Sequence, residues 1–253
     1  FTHRDSRAGD PDLHTHVAVA NKVQTLTGKW LSVDGRILFK ANVTASETYN
    51  TSLEKHLRTR LGLVFDERPG TDRGKRPVRE VVGVDPRLNA RWSTRRVSIE
   101  ARRAELAVDF QATHGRPPTP IEAIQLAQQA TLETREAKHE PRSLAEQRTA
   151  WAAQAEQVLG GPAAVRAMVT AACGPQDQNR PRVDAAWMAS TANQIVETMQ
   201  ERRSTWQVWH VHAEALRRVR GTNVARSDLD RVVDLLVSQT LDAHSIRLTS
   251  EIG

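Results

Sequence analysis

Phe1-Thr2-His3-Arg4-Asp5-Ser6-Arg7-Ala8-Gly9-Asp10-Pro11-Asp12-Leu13-His14-Thr15-His16-Val17 is the stretch on which the reading of this chain turns. His14 and His16 stand at i and i+2, and side chains two apart on a strand share a face. Residues 14–23 open with the polar and apolar alternation of a half-buried strand. His3 lies eleven residues upstream of His14, across a polar turn containing Gly9, Asp10-Pro11 and Asp12. An antiparallel hairpin would bring the three imidazoles together. Such a trio can hold a divalent cation and leave positions open for water or a substrate oxygen, as a catalytic metal requires. Spacing alone does not separate this from a chance His-x-His pair.

Outward from the histidines, the first hundred residues are mixed in character. Thr27-Gly28 marks a turn into a strand at 29–33, and Asp34-Gly35 is a hairpin signal leading to a strand at 36–39. Residues 42–61 read as a helix stopped by Gly62, with Leu53, Leu57 and Leu61 as its apolar stripe. Strands are expected at 63–67 and 78–84, joined by the polar loop 68–76. Beyond Pro86 the strand signals fade. Ser93 is placed to cap a helix running to His114-Gly115, and Thr119-Pro120 opens the next after the breaker Arg116-Pro117-Pro118. Further helices are expected at 143–159, 162–173, 183–203, 205–220 and 227–240, with linkers at 115–120 and 174–182. The fold class is therefore α+β followed by an all-α segment, divided at 1–140 and 141–253.

The 253 residues carry 36 Lys+Arg against 30 Asp+Glu, a formal net charge of +6, and a mean hydropathy of −0.54. No apolar run reaches the roughly 18 residues that a transmembrane helix needs, so no membrane span is expected. The single cysteine, Cys173, excludes an intrachain disulfide and a multi-cysteine zinc ribbon, and favours a reducing, cytoplasmic setting. The charge is concentrated. Residues 68–103 hold eleven basic and four acidic side chains, an excess of seven, leaving −1 for the other 217. Such a stretch reads either as a polyanion contact, through release of counterions from phosphates, or as a solvated helix face. The preponderance of arginine, whose planar fork matches phosphate oxygens, favours the first. Gly70-Thr71-Asp72-Arg73-Gly74-Lys75-Arg76 is not a phosphate loop, because only three residues separate its glycines and Arg76 stands where Ser or Thr would bind Mg²⁺. Trp30 and Trp92 flank basic residues and are suited either to base stacking or to core packing.

The order His3, Ser6-Arg7, Asp10-Pro11, Leu13-His14-Thr15-His16 resembles the three-histidine motif of the TrwC/TraI-type (MobF) conjugative relaxases of the HUH endonuclease superfamily. The likeness continues through Gly28-Lys29-Trp30, the helix bearing Tyr49-Asn50, the run from Gly74 to Glu80, and Ser93-Thr94-Arg95-Arg96. It extends more loosely through Leu126 to Thr131. It implies part of an antiparallel-sheet palm with helical fingers closing over single-stranded DNA. It also implies a divalent ion (Mg, Mn or Zn) on His3, His14 and His16, which polarises the scissile phosphate at a plasmid transfer origin while a tyrosine attacks it. The DNA-binding residues implied on this reading are Arg7, Lys75, Arg76, Arg79, Arg95 and Arg96, with other proteins of the conjugation apparatus as further partners.

Relaxases of this type carry their catalytic tyrosines well upstream of the histidines. Tyr49, the single tyrosine of this chain, lies downstream of them and reads as a packed helix residue. The expectation is thus a metal- and DNA-binding portion of a relaxase, N-terminally truncated and unable to nick alone. The alternative is a non-catalytic DNA-binding or interaction module derived from a relaxase. Residues 203–215 resemble the stretch preceding the helicase domain of the same proteins. No Walker A motif follows, so no ATPase activity is expected.

Overall fold

The computed structural model describes residues 1–70, 76–137, 140–173 and 180–248. In chain order come β1 (Thr2–Asp5), β2 (Pro11–Thr15), β3 (Val23–Gln24), β4 (Trp30–Leu31), α1 (Gly35–Leu61), β5 (Phe65–Glu67), β6 (Arg79–Val81) and α2 (Pro86–Arg91). These are followed by α3 (Thr94–His114), α4 (Pro120–Glu133), α5 (Leu144–Leu159), α6 (Pro162–Cys173), α7 (Ala185–Gln200), α8 (Val208–Arg220) and α9 (Leu229–His244). The fold class is α+β. Among the described residues the strands form three separate two-stranded antiparallel ribbons, β1–β2, β3–β4 and β5–β6, and no helix is long and apolar enough to cross a membrane. Two compact units share the chain by turns: Phe1–Val19 with Gly83–Ala171, and Ala20–Val82 with Ala172–Gly253.

In the first unit the β1–β2 hairpin sets His3 opposite His14 and Thr2 opposite Thr15. Gly9 closes its turn at φ +82°, a left-handed conformation that glycine alone adopts without strain. The strand predicted over 14–23 ends at Thr15, because β1 offers only four residues to pair with. Local signals fix the helices. Thr119 and Ser143 each form a capping box, with Glu122 and Glu146 respectively reaching back to the cap backbone. Asp85 caps α2, a helix the strand-to-helix reading of residues 78–114 passed over. The Ser93 side chain does not cap α3. Its hydroxyl donates to the Asn89 carbonyl, and the cap comes instead from Asp10 of the hairpin turn.

The second unit has its apolar core between α7, α8 and α9, where Ile195, Val211, Leu216, Val219, Val233 and Leu236 are buried together. Each such side chain contributes about 1.5–3 kcal/mol by leaving water. Asp34-Gly35 does not turn a hairpin. The Asp34 carboxylate accepts from the Arg36 backbone N–H at 2.9 Å and caps α1, so residues 36–39, expected as a strand, form the first turn of a 27-residue helix. Leu53 and Leu61 of the expected apolar stripe are exposed, and Tyr49, expected to be packed, is 57% exposed. The buried face of α1 is polar: Glu47, Thr51, Glu54 and Lys55.

That face meets α8 through hydrogen bonds. Thr51 donates to the Leu216 carbonyl at 3.3 Å, and Lys55 to the Thr222 and Val224 carbonyls at 2.9 and 3.1 Å. Arg58 donates to the Arg220 carbonyl at 2.9 Å. Cations from α1 thus satisfy carbonyls at the C-terminal end of α8, where the helix dipole favours positive charge. Glu47 pairs with Arg217 at 2.8 Å and with Arg220. Burial, with Arg180 nearby, pushes the Lys55 ammonium down to about 8.

Candidate metal centre and nucleic-acid face

The β1–β2 hairpin gathers the three predicted imidazoles. Ring centroids are 5.3 Å apart for His3 and His14, 5.1 Å for His3 and His16, and 5.0 Å for His14 and His16. His16 joins through the hairpin ladder, its N–H donating to the Phe1 carbonyl at 2.8 Å. His3 and His16 are exposed and His14 is half-buried, so the group opens to solvent. The His14 Nδ1 lies 2.7 Å from the Asp12 carbonyl. A carbonyl only accepts, so Nδ1 carries a proton and Nε2 is the nitrogen left for a ligand. The Asp12 carboxylate stands 3.4 Å from the same nitrogen. As the rings stand, no group of three or more His, Cys, Asp or Glu among the described residues is arranged to hold a metal ion. The rings are gathered, with His3 and His14 nearly parallel at 10° and His16 close to perpendicular to both, at 90° and 81°.

The hairpin is anchored from several sides within its unit. Asp10, 5% exposed, accepts from the Thr94 backbone N–H at 3.0 Å and the Thr94 hydroxyl at 3.1 Å. Its own backbone is held by Ser6, whose N–H donates to the Asp10 carbonyl at 2.9 Å. Arg142 donates to the Asp5 carboxylate at 2.9 Å, and Arg4 to Gln147 at 2.9 Å. The Trp151 indole N–H donates to the Gly9 carbonyl at 2.9 Å. The turn therefore rests against α5 and the start of α3. Of these anchors, Asp10 is legible in sequence as a turn residue, but its bond to Thr94 is not. Gln147 and Trp151 carried no signal there, because their partners lie more than 140 residues away.

The predicted DNA-binding arginines have separate environments. Arg7 donates to the Glu136 carbonyl at 2.8 Å. Arg95 and Arg96 lie in the first turn of α3, directly after the Thr94 that Asp10 holds. Arg96 pairs with Glu100 at 2.9 Å on an exposed helix face. In the second unit Arg76 stands 3.8 Å from Glu47, and burial lowers its pKa first, Arg217 next. Arg79 is committed internally: it forms a two-pronged pair with Glu54, both contacts at 2.8 Å, and donates to the Phe65 carbonyl. The Arg79 guanidinium is thus already engaged within its own unit. Lys75 lies outside the described residues. The basic stretch 68–103 is divided at Gly83 between the two units.

Among known proteins, a family model described as TrwC relaxase matches residues 1–158, more than half of the chain. No curated protein and no solved structure matches it.

Proposed function

The chain belongs to the TrwC relaxase family, whose members nick DNA in conjugation, and from that premise we propose that its first unit is the metal-binding, single-strand-gripping part of such an enzyme. His3, His14 and His16 are the ligands, and single-stranded DNA at a transfer origin is the substrate. The observation carrying this is the spacing of the three rings. A metal about 2.1 Å from an imidazole nitrogen lies about 3.2 Å from the ring centre, so ligands at a tetrahedral angle put ring centres about 5.2 Å apart. The separations of 5.0 to 5.3 Å fit that spacing. His3 and His14 stack at 10°, so binding one ion in the plane of both rings requires one of them to turn about Cβ–Cγ, a motion that moves the nitrogens far more than the ring centre.

Imidazoles favour late first-row ions by affinity, and availability puts Mg²⁺ or Mn²⁺ alongside Zn²⁺ as the occupant. When bound, the ion supplies Lewis acidity to a non-bridging phosphate oxygen. The chain's own residues do the rest. The Asp12 carbonyl fixes the His14 tautomer, as outer hydrogen bonds do for metal-ligating histidines. Asp10, Arg142 and Trp151 hold the hairpin in place, and Arg7, Arg95 and Arg96 supply cationic donors on the same unit. That unit contains no tyrosine, since Tyr49 belongs to the second, so the proposal includes that this chain by itself binds but does not nick. A cytoplasmic setting and contact with other conjugation proteins complete the reading. The absence, among the described residues, of a group already arranged to hold a metal ion favours the alternative, a DNA-binding module without a working metal site.

Metal titration decides between them. Mn²⁺ or Co²⁺ binding that falls tenfold or more in His14→Ala supports the metal centre. Unchanged affinity in that variant rejects it. Incubation with origin oligonucleotide and Mn²⁺ is expected to give no covalent adduct, and an adduct lost in Tyr49→Phe would reverse the assignment of Tyr49.

A further inference from the structure

A cavity of about 230 Å³ opens in the second unit, with Phe39 and Trp209 as its aromatic lining and Lys40, Arg202 and Arg203 among its cations. Its carboxylate is already neutralised, because Glu214 pairs with Arg217 at 2.6 Å and stands 3.5 Å from Arg218. Lys40, Arg202 and Arg203 have no ion pair with a carboxylate among the described residues. The Lys40 ammonium sits 5.8 Å over the Trp209 ring, and the Trp209 carbonyl accepts from Thr44 at 2.9 Å, which ties the aromatic wall to α1. His210, also in the lining, accepts at Nδ1 from the Gln207 backbone N–H at 3.0 Å. Burial first, then Arg203 and Arg76, lower its pKa, so the neutral ring offers Nε2–H as a further donor.

Unpaired cations converging beside exposed ring surface call for a ligand that is both anionic and flat. A simple carboxylate would meet the cations and leave the rings unused. The volume lies below the ~300–1,000 Å³ of pockets for drug-sized ligands, which limits the occupant to about one base with its phosphate. Arginine's fork suits a phosphate, and aromatic side chains stack on any base. We propose that this cavity binds one nucleoside monophosphate unit, with its phosphate at Arg202 and Arg203 and its base against Trp209 and Phe39, and that the unit belongs to a single strand of DNA. The choice of a strand over a free nucleotide rests on the relaxase reading; the pocket itself does not. Arg202, Arg203 and Trp209 lie outside the family-matched residues 1–158, so this is a contact beyond the segment by which the family is recognised.

The test uses the full chain, with oligo-dT, dTMP and inorganic phosphate as probes and tryptophan fluorescence as the readout. Trp209→Phe identifies the responding ring, and circular dichroism checks the fold of each variant. Arg202→Ala/Arg203→Ala is expected to weaken oligo-dT binding about tenfold and to lower the salt slope by about 0.7, the contribution of one phosphate on a single strand. Mn²⁺ affinity should stay unchanged. Unaltered oligo-dT affinity and slope in the double variant overturn the proposal. Phosphate binding as tightly as dTMP overturns the aromatic half of the site. If dTMP binds through these arginines while oligo-dT does not bind, the pocket stands and the single-strand reading fails.

Discussion

Replacing Asp10 by alanine tests whether the histidine hairpin and α3 are one mechanical piece. The Asp10 carboxylate is 5% exposed and makes two hydrogen bonds to Thr94, at 3.0 Å to the backbone N–H and 3.1 Å to the hydroxyl. Ser93 makes no side-chain cap bond, so nothing local substitutes for it. Removing a capping side chain costs about 0.5–2 kcal/mol, and the negative charge beside a helix N-terminus adds roughly 0.3–1 kcal/mol. The expected loss is therefore about 1–3 kcal/mol. Since ~1.4 kcal/mol is a tenfold change, hydrogen exchange at the Thr94 amide should quicken roughly five- to hundredfold in Asp10→Ala. Asp10→Asn, which keeps one acceptor, should fall between Asp10→Ala and the parent. In a double-mutant cycle with Thr94→Val, the two changes should couple by about 1 kcal/mol. The same variant should lower Mn²⁺ affinity, because it frees the turn between His3 and His14. Exchange at Thr94 within twofold of the parent, with no coupling, would refute the anchoring.

Gly9→Ala places a Cβ 2.8 Å from the Arg142 guanidinium at φ +82°. It should destabilise by about 1–2 kcal/mol in urea melts, by backbone strain and by displacing the arginine from Asp5. Arg79→Ala breaks the paired Glu54, whose side chain is 5% exposed, and should cost about 2–4 kcal/mol while leaving oligonucleotide affinity within twofold. A selective loss of DNA affinity would restore Arg79 as a phosphate contact. Burial holds the Lys55 ammonium at about 8, below its ordinary 10.5, so the native state binds fewer protons than the unfolded chain between those values. Its charge is a stability penalty that is fully present below pH 8 and relieved as pH rises towards 10.5. Stability of the parent relative to Lys55→Met should accordingly increase from pH 8 to 10. A flat or falling difference in denaturant melts would contradict the sign.

Local signals were readable wherever the partner was near in sequence. Thr119 and Ser143 cap their helices through residues three positions on, and Gly62 and Gly115 end theirs at φ +70° and +69°. Asp34-Gly35 was misread because the same pair serves a hairpin or a helix cap, and only a second strand, absent there, separates the two uses. The face of α1 was unreadable for a different reason. An apolar stripe at Leu53, Leu57 and Leu61 suggests a buried side, yet the partner, α8, offers carbonyls and arginines 162 to 173 residues away. Polar residues that find such partners bury as well as leucines do. The histidine trio was legible because a short turn fixes strand register, whereas the anchors of that turn and the cations around Trp209 converge from distant segments.

The anchoring of the hairpin also bears on synthesis. The turn at Gly9 leaves the ribosome 142 residues before the Trp151 that binds its carbonyl, and Asp5 leaves 137 residues before Arg142. At about 5–20 residues per second, that interval lasts roughly 7–30 s. During it, the three histidines emerge on a two-stranded ribbon too small to hold its own shape. The second unit cannot close around α1 either, since α8 follows later still. The nascent chain therefore carries an exposed, unfixed histidine cluster until Arg142 and Trp151 have been made, so the cluster is translated well before it becomes rigid.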